Sequence, residues 1–157
     1  MTQNPQPPQP LRRLPDADAR LQRLLASRLA VPFGWGTADC ALLVADAAQA
    51  VTGVDPVPDL RGRYRSAAGA LRVVSRALGL PQPGSMPQLM ASMCQQRLGG
   101  AIEAAQAMPG DAGLCNYEGQ QLLAVCAGGG QWLAPADMGL LPVPAPAQAW
   151  RVAACLN

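Results

Sequence analysis

The chain has 157 residues, half of them hydrophobic, with 14% charged, 4% aromatic and a formal net charge of +2, a size that fits one domain and not two independent ones. Its cations are all arginines and form no run, which gives nucleic-acid binding no footing; no stretch nears the roughly 20 apolar residues of a membrane span, and no secretory leader pattern opens it, so synthesis and folding in a cytoplasm are expected. Charge this sparse, against roughly a quarter of residues in ordinary soluble domains, points to a surface covered by other subunits of an assembly.

Residues 1–10, MTQNPQPPQP, offer no side chain to anchor a core and read as an extended Pro/Gln-rich arm laid on a partner, ahead of a single domain over 11–157. A helix is predicted over 16–29, where Leu21, Leu24, Leu25 and Leu29 recur at helical spacing, Asp16 or Asp18 caps the start and Pro32 forces the end. A second helix begins at Asp39 or Cys40 and runs to about Val51, with Gly53 as its stop. Asp39 suits the N-cap because its carboxylate can accept from the free N–H groups of the first turn. After a proline-broken connection over 55–64, a third helix is expected within 66–80, with Leu71, Val74 and Leu78 on one face, and a fourth from a Ser85 cap to a stop at Gly99 and Gly100. Beyond Pro109 the pattern changes, and 111–119, 120–129 and 130–135 read as short strands joined by glycine turns. Helices first and a small antiparallel sheet in the C-terminal half make an α+β architecture.

The five cysteines, Cys40, Cys94, Cys115, Cys126 and Cys155, include no close pair, so neither a disulfide framework nor a zinc site is expected, and no cofactor. Cys115 and Cys126 fall on candidate neighbouring strands, the one pair placed to face each other and share a metal or iron–sulfur cluster with another subunit. Cys40 opens an apolar helix, where the helix dipole and unpaired N–H groups favour a thiolate.

Trp35-Gly36, Asp39-Cys40, Leu43-Val44 and, about 70 residues on, Pro109-Gly110-Asp111 stand in an order that resembles the NlpC-type cell-wall peptidases, the bacterial and phage branch of the papain-like cysteine peptidases. This resemblance spans roughly residues 33–134 and implies a papain-like NlpC-type fold with Cys40 at the nucleophile position. A second resemblance covers nearly the whole chain. It is to a group of small proteins coded in phage tail gene modules, and rests on the Pro-Phe-x-Trp-Gly-x-x-Asp-Cys start at 32–40 and the closing Ala149-Trp150-Arg151-Val152.

In the peptidases a histidine opening a later strand takes the thiol proton and returns it to the leaving amine. This chain contains no histidine, and the corresponding position falls near Gln121 or Leu122. A carboxylate such as Asp111 or Glu118 would raise the thiol pKa instead of lowering it. The resemblances therefore imply a structural component of a phage or phage-like tail, near the tail tip, on a degenerate NlpC-like fold. Its partners would be hub, distal-tail or tape-measure subunits and its location the virion. Two alternatives stand beside it: an active peptidoglycan cysteine peptidase or amidase with Cys40 as nucleophile, and a tail assembly factor absent from the mature particle. On this reading Cys40 is a buried small residue in a vestigial nucleophile place, Asp39 a helix cap before a catalytic acid, and Trp35 core packing before a substrate platform.

Overall fold

The computed structural model describes residues 11–81 and 84–153; the 1–10 arm and Cys155 lie outside them. Four helices come first: α1 (Ala17–Arg28), α2 (Cys40–Thr52), α3 (Ala67–Ala77) and α4 (Met86–Arg97). Six strands follow: β1 (Ala101–Ile102), β2 (Ala112–Tyr117), β3 (Gln120–Gly128), β4 (Gln131–Ala136), β5 (Gly139–Val143) and β6 (Gln148–Trp150). The α+β order is that of the sequence reading. Among the described residues no helix is long and apolar enough to cross a membrane.

The helix ends follow from local chemistry. Asp39, Ser66 and Ser85 cap α2, α3 and α4 with their side chains, Ser85 through a reciprocal capping box with Gln88. Gly53 closes α2 in the left-handed conformation. Asp16 stands at the start of α1 but makes no side-chain cap, and α1 ends at Arg28, ahead of Pro32.

Helix α2 is buried nearly all round, with Leu42, Leu43, Val44, Ala45, Ala47, Ala48 and Val51 inside. A helix with no polar stripe belongs in the middle of a core, and α2 lies against both α1 and strands β3 and β4. Its one acidic residue, Asp46, is held by Arg28 of α1 and by Arg61 of the 53–65 connection.

All strands pair antiparallel in the order β1-β6-β2-β3-β4-β5. The helix-side face of β3 carries Leu123 and Val125; the opposite face joins Ala124 and Cys126 to Cys115, Trp132, Ala134, Val143 and Ala149 in a second apolar cluster. Cys115 and Cys126 do share that face, but they are not opposite each other. Cys115 pairs with Leu122, four residues along β3 from Cys126, or about 13 Å at strand rise. The expectation of a facing pair is corrected by this register, and the described residues hold no group of three or more His, Cys, Asp or Glu able to bind a metal ion.

Pro109-Gly110-Asp111 and Ala149-Trp150-Arg151-Val152 meet in one structural knot. Gly110 has φ 97, and a Cβ there would sit 2.5 Å from Val51 Cγ2 of α2, so only glycine lets the loop approach. Asp111 is 1% exposed, and its carboxylate accepts from the N–H groups of Met108 at 2.8 Å and Val152 at 3.0 Å. Trp150 fills the core between sheet and helices and donates its indole N–H to Gln95 Oε1 of α4.

Candidate functional site

Residues 34–38 form a tight reversal, with Gly34 and Ala38 exchanging both main-chain hydrogen bonds. It delivers Asp39 to the N-cap of α2 and Cys40 to the first turn. Asp39 is fully buried. One carboxylate oxygen accepts from the Leu42 N–H at 2.9 Å; the other accepts from the Gly36 N–H at 2.9 Å and the Tyr64 hydroxyl at 2.7 Å. Gly36 is bound in turn through its carbonyl, which accepts from the Gly62 N–H at 2.9 Å. Asp39 thus ties three segments together, and Tyr64, 25 residues away in a connection without regular structure, was not visible as part of this site from sequence. Burial, reinforced by the charge of Asp39 and the hydrogen bond to it, pushes the Tyr64 hydroxyl upward, so it stays a donor.

A pocket of about 550 Å³ opens beside Cys40. Phe33 and Trp35 form one wall, their rings edge to face at 5.0 Å. Met86, Leu89, Met90 and Met93 of α4 supply another. Trp35 is half-buried, packing on the core with part of its surface on the pocket. The Cys40 thiol contacts the Met90 sulfur at 3.4 Å. Nothing in the sequence linked these two residues; the helical spacing of Met86, Met90 and Met93 reads equally as core packing.

Strand β3 and the turn before it put Gly119, Gln120, Gln121 and Leu122 in the lining of this pocket. Leu123 points into the helix-side core and Leu122 into the far cluster, so with a period of two Gln121 shares the Leu123 face, and it lines the same pocket as Cys40. An amide in this place can hydrogen-bond but cannot take up a proton at neutral pH. Cys40 is half-buried on the pocket wall and not fully buried as expected; loss of hydration still pushes its thiol from 9.0 to about 11, a main-chain hydrogen bond from Leu123 opposes this, and the charge of Asp39 adds to it. Desolvation and the neighbouring carboxylate thus act against the helix N-terminus, which by itself favours the thiolate.

Because the thiolate is the reactive form, a rise from 9.0 to about 11 cuts its fraction about a hundredfold at pH 7, and with the greater nucleophilicity of a more basic thiolate iodoacetamide is expected to label Cys40 about tenfold more slowly than a free thiol. The rate should climb about tenfold per pH unit from pH 7 to 9, since deprotonation lies above that range. Peptide mass spectrometry of timed reactions reads it, and labelling faster than free cysteine, or a plateau below pH 9, contradicts it.

Residues 12–152 match the model of a family described as "Domain of unknown function (DUF6950)". No curated protein matches the chain. Similar solved structures include a glutamate mutant of the Resuscitation Promoting Factor Interacting protein RipA, 17% identical, with a TM-score of 0.45, over 93% of this chain and 71% of that one.

Proposed function

This chain belongs to the family described as "Domain of unknown function (DUF6950)", and within it we propose a structural subunit of a phage or phage-like tail, near the tip, built on an NlpC-type papain-like fold that does not cleave amides. The observation that supports the loss of hydrolysis is the lining of the Cys40 pocket. Burial pushes the thiol at the nucleophile position up to about 11, and the described residues that line its pocket, Gln121 and Leu122 among them, include no base to take its proton. Amide hydrolysis needs a group that removes the thiol proton and then protonates the leaving nitrogen, and loss of that group lowers rates by several orders of magnitude in comparable triads. The NlpC-type reading is supported by the motif order and by the cysteine-headed helix lying against an antiparallel sheet. The tail assignment is supported by the resemblance at residues 32–40 and 149–152 and by the low surface charge.

Purified murein incubated with the protein and with a Cys40→Ala variant should give equal, negligible release of soluble muropeptides. Release by the wild type alone overturns the non-hydrolytic reading. Mass spectrometry of purified particles should find the chain at stoichiometric levels; its absence from particles, with presence in the lysate, overturns the structural role in favour of an assembly factor.

A further inference from the structure

We infer that the Cys40 pocket is a binding site for a neutral single-chain amphiphile, hydrocarbon body inside and uncharged polar head at the mouth. The inference rests on the non-hydrolytic reading in one respect: the ligand is held intact. At about 550 Å³ the cavity lies in the range of small-molecule sites, which bury most of a ligand against apolar walls and fix it with a few polar groups. Its walls are aromatic, thioether and aliphatic, drawn from the turn before α2 and from α3 and α4. Apolar surface of this extent left facing water is unfavourable, and in folded proteins it marks a place that something covers.

The walls select the ligand's charge. Among the described residues lining the pocket Asp39 is the one carboxyl, and its oxygens are already engaged by Leu42, Gly36 and Tyr64. No arginine among the described residues lines the pocket, so an anionic head would lose hydration and find no cationic partner there. A cation would find no open carboxylate. What the lining offers a polar head is the exposed amide of Gln121, on the Leu123 face of β3 and able to donate and accept, which matches hydroxyl, ester or amide heads. Three methionines along the wall, unbranched and rotatable, adapt to a flexible chain better than to a fixed ring system.

Monolauroylglycerol, titrated below its critical micelle concentration, tests this. Trp35 reports, because Trp132 and Trp150 are buried at 2% and 3% exposure. A saturable one-to-one fluorescence change is expected, together with at least threefold slower alkylation of Cys40 at saturation. Laurate, the charged counterpart, should bind at least tenfold more weakly, and a Gln121→Arg variant, altered at an exposed position, should narrow or reverse that preference. No saturable change, or binding without protection of Cys40, or a laurate ratio that Gln121→Arg leaves untouched, each overturns the pocket assignment. Recovery of the ligand intact supports both readings. Release of laurate that stops in Cys40→Ala overturns the non-hydrolytic reading while leaving the binding site standing.

Discussion

Replacing Asp39 with alanine is expected to lower the stability of the domain by about 3–5 kcal/mol, the loss of an N-cap contributing roughly 1 and each buried donor left without a partner about 1–3. Three donors depend on this carboxylate, the N–H groups of Leu42 and Gly36 and the hydroxyl of Tyr64, and the residue is fully buried, so water cannot take its place without opening the turn. Asp39→Asn keeps an acceptor for one side of the network and sets an NH₂ against the other; it should lose about half as much. Tyr64→Phe removes one donor and nothing else, and should cost least. Urea denaturation followed by tryptophan fluorescence orders the three, and a loss below about 1 kcal/mol in Asp39→Ala would show that the turn is held by something else.

Gly36→Ala should be as damaging, for a different reason. Gly36 has φ +79, and a Cβ added there would stand 2.0 Å from the carbonyl oxygen of Tyr64. The left-handed backbone alone costs a non-glycine residue about 1–2 kcal/mol. The clash is with main chain and cannot be relieved by a rotamer change, so a total above about 3 kcal/mol is expected. Gly129 also has positive φ, +61, but nothing lies within 4 Å of its would-be Cβ. Gly129→Ala therefore isolates the backbone cost, and the difference in denaturation midpoint between the variants measures the contact with Tyr64. Equal midpoints would mean that the 60s connection moves freely with the turn.

The helices were legible because their signals are local. Asp39, Ser66, Ser85 and Gly53 each act within one turn of the element they bound. Strands β2, β3 and β4 also announced themselves, by apolar runs between glycine turns. Strand β5 did not: Pro142 lies inside it, a residue that reads as a breaker and is tolerated here because β5 pairs on one side only, with β4. Strands β1 and β6, of two and three residues, are too short to carry a periodic pattern. Within the site, Cys40 and Asp39 stood in a motif, whereas Tyr64 and Met90 reach it from segments 25 and 50 residues away, and only tertiary packing brings them there. Gln121 and Leu122 were equal candidates in the sequence, and in the fold both line the Cys40 pocket although they alternate along β3. The Asp111 to Val152 link is of the same kind: both motifs were visible, their meeting was not.

The sheet order β1-β6-β2 places the last strand of the chain between the first two. On the ribosome, β2 to β5 can zip up by successive hairpins as they emerge, since each pairs with its sequence neighbour. The gap between β1 and β2 cannot close until residues 148–150 are free, and with it wait the Trp150 ring and the N–H of Val152 that Asp111 needs. Long-range closures of this sort are the slow ones, because the loop entropy is lost before any contact repays it. Until residues 148–152 join the sheet, the seam between β1 and β2 is left unpaired, and partly folded chains with open apolar seams are the ones that associate with one another. The Ala-Trp-Arg-Val segment is in that sense the latch of the fold.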